Sequence, residues 1–467
     1  MATYPLVQQW LTKLSTSSSH VTNDEPHYWH SNPQTLISPS TLHNLSLGTG
    51  SSIYTTSILP LISTASQEII LVTCFWAGSA TLSALNSTLC NLSAKGQQSG
   101  RRIRVRIYFS SSSLAQKLFH PQTLQGRSWE PSKLGLPLQE EVPGLDVKVK
   151  SVFLLPFSVM HPKFVIVDRA RVLLPSCNVS WEDWFEGCVE LSGGVVEQFV
   201  RFWRDFWATD EDAQTELKGA EIDTGDFGAL SKDGSNSLSS RDLHLNDIQT
   251  LFLPSPHHRN PRFAFFPWQT CPPPPPTPLN VFLLAAIKGT QRSIYIQTPN
   301  LTATPVLSAL LTALRRGVSV TVLTSEKLMI LEQLVTAGTT TARCTRKLVK
   351  RYKRLSKGHP PSFDSPSLLE SGDRPLGHLA IGYYQPLPPH AGDMAACEPV
   401  QSHLKLTIID EEWTILGSGN LDRASLFTSQ ELGVAFCSKA FAEVVSGDVS
   451  RLMEGRKRIV FESGSGD

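Results

Sequence analysis

The chain has 467 residues, and 42 Lys and Arg set against 41 Asp and Glu leave a formal charge of +1, which excludes a globally polybasic nucleic-acid coat or an acidic disordered tail while leaving local patches open. Its 18% charged and 40% apolar residues are those of an ordinary globular protein with two or three domains or one bilobal unit, and eight cysteines without a C-x-x-C pair exclude a zinc ribbon, a thioredoxin-type site or a disulfide-dense module and imply a reducing compartment. No run approaches the roughly 18 apolar residues of a membrane span, and Met1 to Val21 lacks a secretory signal's apolar core, so the expectation is a cytoplasmic chain without a transmembrane segment that meets membranes only peripherally, with mitochondrial import as the alternative.

Residues 1–47 match no recognisable pattern and are read as an N-terminal segment. Gln67 to Thr73 has the length and β-branched content of a buried strand, Thr81 to Leu92 that of a helix, and Arg102 to Phe109 alternates as a second strand, making a βαβ unit. Late in this half stands His161-Pro162-Lys163-Phe164-Val165-Ile166-Val167-Asp168, with Ser176 and Asn178 following His161 by 15 and 17 residues. The cluster Trp181-Glu182-Asp183-Trp184 precedes Glu186, and Glu190 is the alternative to Glu186 as the half's functional carboxylate. The apolar stripe from Val195 to Trp207 has helical spacing and reads as core.

A first lobe over 48–208 then gives way to a linker over 209–278, expected to be partly disordered. Asp210 to Asn246 is rich in Ser, Gly, Asp and Thr, and Pro272 to Pro276 reads as a stiff spacer. His257-His258-Arg259 has no Asp, Glu or Cys at ligand spacing beside it, so it is read as a loop and no metal is assigned. The strand–helix–strand pattern returns in Arg292 to Thr298, Pro305 to Arg315 and Gly317 to Leu323. Leu82-Ser83-Ala84-Leu85 and Leu307-Ser308-Ala309-Leu310 are offset by 225 residues, as are Ile69 and Ile294. A constant register across strand, turn and helix marks an internal duplication. The second lobe spans 279–460, with a surface insertion at about 340–395 and a tail over 461–467. Arg343 to Lys357 holds eight cations and no acid, which suits contact with anionic lipid or a nucleic-acid backbone.

His403-Leu404-Lys405-Leu406-Thr407-Ile408-Ile409-Asp410 repeats H-x-K-x-x-x-x-D, and Ser418 and Asn420 keep the intervals of 15 and 17. Glu431 opens the next apolar strand. In a strand the side chains at i and i+2 leave one face, so each His should point with its Lys. These motifs, with Gly417-Ser418-Gly419-Asn420-Leu421-Asp422-Arg423, resemble the phospholipase D superfamily and within it the cardiolipin synthase-like branch, over roughly Gly48 to Glu454. The resemblance implies two duplicated α/β sandwich lobes about a pseudo-two-fold axis sharing one active site. It further implies a phosphodiesterase or phosphatidyltransferase acting on glycerophospholipids through a phosphohistidine, with no cofactor. A nuclease of the same superfamily and a non-catalytic lipid-binding scaffold are the alternatives.

The chemistry fits the residue types. A phosphodiester is anionic and repels hydroxide, so its oxygens must be neutralised and a nucleophile supplied. Lys163 and Lys405 would supply charge, and Ser176, Asn178, Ser418 and Asn420 directional hydrogen bonds. The resemblance makes His161 the nucleophile and His403 the acid/base, with Glu186 and Glu431 holding their Nδ1 atoms and Asp168 and Asp410 in support. With ordinary pKa values near 6.5, one imidazole is expected neutral and the other cationic. Pro175 stands where the second motif has Gly417, removing a backbone donor, and Cys177 reads as a small buried residue.

Overall fold

The computed structural model describes residues 4–17, 25–111, 126–152, 159–180, 183–214, 239–257, 273–357, 375–388 and 398–464. Its strands in the first half are β1 (Ile37–Thr49), β2 (Glu68–Phe75), β3 (Ile103–Ser111), β4 (Arg127–Trp129), β5 (Leu145–Ser151), β6 (Phe164–Val167), β7 (Arg171–Pro175) and β8 (Trp184–Gly193). Those in the second are β9 (Ser239–Ser255), β10 (Ser293–Thr298), β11 (Ser319–Thr324), β12 (Leu379–Tyr384), β13 (Gln401–Ser402), β14 (Leu406–Ile409), β15 (Trp413–Gly417), β16 (Glu431–Cys437) and β17 (Lys457–Glu462).

Pairing joins them into one large mixed sheet. Its order is β4, β5, β3, β2, β6, β7, β8, β1, β9, β16, β15, β14, β10, β11, β12, β17, and β13 runs parallel to the start of β8. The parallel stretches are β2 with β3 and β5, and β10 with β11 and β12. Parallel strands need crossovers that cover their faces, which is why Ile69 to Val72 form an unbroken apolar, buried run rather than alternating. The helix Ala80–Gln98 makes one crossover, its start capped by Ser79, whose hydroxyl accepts the Leu82 N–H; the helix Thr304–Arg315 makes the other. Both βαβ units lie within two residues of their expected strand bounds, and the first helix runs six residues beyond Leu92.

Each motif aspartate sits just past its strand, in a left-handed turn with φ of 50° at Asp168 and 53° at Asp410. Asp168 accepts the N–H groups of Ser66, Gln67 and Glu68, and Asp410 those of Gln291, Arg292 and Ser293. Each thereby fastens the turn after β6 or β14 to the entry of the neighbouring strand, β2 or β10, so their support is structural.

Several segments differ from the sequence reading. Ser239–Ser255, placed in the linker, is a 17-residue strand in the middle of the sheet, bonded to β1 and β16. Its first half is polar because it is largely exposed, and only Thr250 to Ser255 is buried throughout. The proposed surface insertion contains the helix Thr341–Lys357, which buries Cys344, Leu348 and Tyr352, and the sheet strand β12. The N-terminal segment is part of the core: Trp10 and Trp29 are fully buried, and Trp10 Nε1 donates to the Pro278 carbonyl at 3.0 Å. In the polyproline tract, Pro275 accepts from Thr277 and Asn280 and so leads directly into the helix Pro278–Gly289. The Val195–Phe206 helix packs its apolar face into the core as expected. Within those sequence-read segments, residues 215–238, His258, Arg259, Trp181, Glu182 and residues 358–374 lie outside the described residues. No described helix is long and apolar enough to cross a membrane.

Candidate active site

The two motifs are held together by the backbone. His161 donates its N–H to the Gln430 carbonyl at 3.0 Å, just before β16, and His403 donates its own to the Phe185 carbonyl of β8 at 2.8 Å. Each histidine is therefore fastened to the other half of the chain. His161 and His403 lie just ahead of β6 and β14 rather than inside them, yet the extended backbone keeps the i, i+2 relation with Lys163 and Lys405.

The side chains cross in the same sense. His161 Nδ1 lies 2.9 Å from Glu431 Oε2, and His403 Nδ1 lies 2.7 Å from Glu186 Oε1. Both carboxylates are buried, and each accepts a serine hydroxyl at 2.5 Å, Ser176 on Glu186 and Ser418 on Glu431. Those serines accept the N–H groups of Gly187 and Leu432 in turn. A hydroxyl has one proton, so Ser176 and Ser418 are already committed and hold the carboxylates rather than donating to a phosphate. The sequence reading places these hydroxyls on the phosphate instead. Glu190 is spent elsewhere: it binds Arg171 at 2.7 Å, four residues and roughly 13 Å further along β8.

Asn178 accepts the Phe75 N–H on Oδ1 at 3.1 Å, and its buried Nδ2 has no partner among the described residues, leaving a donor for a ligand. Asn420 gives one N–H to Asp422 at 3.2 Å. Lys163 Nζ donates to the His161 carbonyl at 2.9 Å; Lys405 Nζ donates to the His403 carbonyl at 2.7 Å and lies 2.8 Å from Nδ1 and 2.9 Å from Nε2 of the same imidazole.

Burial dominates the electrostatics. It pushes the His161 imidazole down to about 4 and that of His403 to about 3; the glutamates oppose this, and the lysines reinforce it. Burial, with Lys163 nearby, pushes the Lys405 ammonium down to about 7. Burial also pushes the Glu186 and Glu431 carboxyls up, but the histidine contacts and serine hydrogen bonds outweigh it and hold both low. The site at neutral pH thus has ionised glutamates and two neutral imidazoles, each with its Nδ1 proton directed at a carboxylate. The expected neutral and cationic pair of histidines is not the resting state. Burial raises the Cys177 thiol well above its ordinary value, making it a packing residue rather than a nucleophile.

Residues 283–453, which include His403, Lys405, Ser418, Asn420 and Glu431, match the family model described as cardiolipin synthase, PLD-like domain. Over that segment the chain is similar to the phospholipase D superfamily. Among solved structures, phosphatidylserine synthase from Haemophilus influenzae Rd KW20 aligns over 92% of this chain and 90% of its own, at 14% identity and a TM-score of 0.51, a likeness of fold. Polyphosphate kinase from Porphyromonas gingivalis aligns over 90% of this chain and 49% of its own (12% identity, TM-score 0.44). The phospholipase D family member Nuc from Salmonella typhimurium aligns over 39% of this chain and 90% of its own (20% identity, TM-score 0.25). No curated protein matches the chain.

Sequence reasoning missed three neighbours of this phospholipase D-like site. Ser425 gives Glu431 a second hydroxyl at 2.6 Å. It escaped notice because the position 242 residues earlier, the offset between the two histidines, is Asp183. The Trp184 ring lies 4.9 Å from that of His403, and Gln430 carries the His161 backbone while accepting Trp207 Nε1 at 2.9 Å. Trp184 was visible in the aromatic cluster, whereas Gln430 gave no signal.

Proposed function

We propose that the chain is a phospholipase D-type phosphodiesterase acting on glycerophospholipids, by hydrolysis or by phosphatidyl transfer to an alcohol, with one site built from two duplicated lobes about a pseudo-two-fold axis. The observation that carries the reading is the crossed pairing of His161 with Glu431 and His403 with Glu186, which makes each half incomplete without the other. The matching strand order on either side of the β1–β9 pair supports the pseudo-two-fold axis.

In the first step the Nε2 lone pair of His161 attacks phosphorus, and the bond to the leaving oxygen breaks as that oxygen takes a proton from His403 Nε2. Water or an alcohol then gives its proton to His403 and attacks the phosphohistidine, freeing His161. An anionic ester placed beside the rings favours the charged form of His403, which takes up a proton at Nε2 from solvent on substrate binding, while His161 stays neutral with its Nε2 lone pair free to attack. The ester also draws Lys405 from His403 Nε2 to the phosphoryl oxygens, where Lys163 and Asn178 add charge and a directed N–H.

The test incubates the purified chain, without added metal, with mixed phospholipids plus a primary alcohol, and in parallel with single- and double-stranded nucleic acid. Release of headgroup or formation of the phosphatidyl alcohol, lost in His161→Asn, is the expected result. Shortened oligonucleotides with intact lipid transfer the reading to a nuclease, and no turnover of either substrate overturns the catalytic assignment in favour of a scaffold.

A further inference from the structure

Two consecutive helices, Ile330–Ala337 and Thr341–Lys357, carry surface chemistry that the site's reaction does not use. Among the described residues eight large apolar side chains are conspicuously exposed, and four of them, Ile330, Leu331, Leu334 and Val335, stand on the first of these helices, with Leu331 79% exposed. Spacings of one, four and five residues put them on a single face. The eight Lys and Arg side chains of the second helix are all exposed, while Cys344, Leu348 and Tyr352 turn its other face into the protein. Lys347, Lys350, Arg351 and Arg354 form no ion pair among the described residues.

The pair is anchored to the reaction site by buried polar contacts. Gln333 Oε1 accepts the Thr341 N–H at 2.6 Å, and Gln333 Nε2 donates to Asn300 Oδ1 at 2.8 Å. Asn300 Nδ2 donates to Asp422 at 3.5 Å, and Asp422 also accepts from Asn420, which follows His403 in the motif register. Ser325, at the end of β11, donates to the carbonyl of Ser402, the residue before His403, at 3.0 Å. The helices therefore leave the same end of the sheet that holds the histidines.

We propose that this helix pair docks the protein on an anionic phospholipid bilayer, the first helix entering the acyl boundary and the second binding headgroup phosphates, so that the lipid surface is presented to the site. The proposal rests on the phospholipid reading above. Cationic charge beside an aliphatic face is complementary to an anionic headgroup layer over hydrocarbon. A nucleic-acid strand would find the charge but no aromatic platform for its bases, since the exposed face offers only Ile, Leu and Val.

The experiment measures co-flotation of the full chain with vesicles of phosphatidylcholine alone and of phosphatidylcholine with one quarter phosphatidylglycerol. Wild type is compared with Leu331→Ser/Val335→Ser and with Lys347→Gln/Lys350→Gln/Arg351→Gln/Arg354→Gln. All substitutions are at exposed positions, and unchanged thermal melting verifies the fold. Wild type should prefer the anionic vesicles at least a hundredfold, each variant should lose at least tenfold, and turnover of a dispersed short-chain phospholipid should stay within twofold. Equal binding to both vesicles, or undiminished binding by either variant, overturns the docking surface even when short-chain lipid is cleaved. Tighter binding to a single-stranded oligonucleotide that the serine variant leaves untouched overturns it as well. Vesicle binding as expected without turnover of any phospholipid would instead sustain the docking surface and remove the catalytic reading.

Discussion

Lys405 is a charged group the fold would be more stable without. It is 4% exposed, and burial beside Lys163 brings its ammonium down to about 7, against an ordinary 10.5. Below pH 7 the folded and unfolded chains both carry the proton, and the full penalty of burying it is present. Between pH 7 and 10.5 the unfolded chain holds a proton that the folded chain has released, so this contribution to stability rises with pH. Applied to a single site, that shift corresponds to a penalty of about 4 kcal/mol at pH 7 and about 2 kcal/mol at pH 9. Lys405→Met keeps the stem's packing and removes the charge, but it also takes a cation from Glu186 and Glu431, so the expected gain at pH 7 is nearer 2 to 4 kcal/mol. Turnover should fall by roughly a thousandfold or more, because the proposed reaction loses the cation it sets against developing phosphoryl charge. Urea unfolding of wild type and variant at pH 7, 8 and 9 reads both the gain and its slope. The difference between the two proteins isolates Lys405 from the buried thiols, whose raised pKa values act in the opposite direction at high pH. A variant less stable than wild type at pH 7, or a difference that stays constant up to pH 9, would refute the account.

Glu431→Gln retains the shape but not the charge that fixes the His161 Nδ1 proton, so kcat on a soluble phosphodiester should drop roughly a hundredfold or more while the melting temperature moves little; equal rates would mean that the carboxylate does not orient the ring. Asp410→Ala leaves the N–H groups of Gln291, Arg292 and Ser293 without their acceptor and puts alanine at a φ of 53°, so denaturant unfolding should show a loss of about 2 to 3 kcal/mol. A neutral outcome would show that the turn holds without it. Gly417→Ala drives a Cβ to 2.3 Å from the Leu432 carbonyl at a φ of 153°, and the expected result is a protein at least about 2 kcal/mol less stable by the same measurement. Wild-type stability there would mean that β15 and β16 separate readily.

What was legible in the chain was what repeats. His161 and His403, Lys163 and Lys405, and the Ser and Asn that follow at fixed intervals announce themselves because two copies at one register are improbable by chance. The buried strands β2 and β10 were visible through their apolar runs. What the sequence hid was long-range partnership. Nothing in Ser176 or Ser418 reveals that its proton goes to a glutamate, since a serine ten or thirteen residues ahead of an acid is commonplace; only the pairing of β7 with β8 and of β15 with β16 brings them together. β9 was hidden for a related reason. Its opening Ser239-Ser240-Arg241-Asp242 is polar, and strand structure there follows from pairing with β1 rather than from burying side chains. The neutral histidines were also out of reach, because a pKa shift of this kind depends on the depth of burial and not on residue type.

The two half-sites are not equivalent, and the difference supports the proposed roles of His161 as nucleophile and His403 as acid and base. His161 keeps 13% of its side chain exposed, and its Nε2 makes no hydrogen bond among the described residues. His403 keeps 2%, lies against Trp184, and has Lys405 Nζ within 2.9 Å of both ring nitrogens. On the proposed reaction, the ring without a hydrogen bond at Nε2 suits attack, and the covered ring beside an ammonium suits proton exchange. An aryl phosphodiester separates the roles, because its leaving group needs no acid while hydrolysis of the phosphohistidine still needs a base. In His403→Asn the first step should therefore proceed and the second stall, so that a phosphoryl group accumulates on the peptide containing His161 and can be mapped there by mass. His161→Asn should accumulate none. Label found on His403, in wild type or in His161→Asn, would reverse the assignment and with it the claim that the covered ring is the proton carrier.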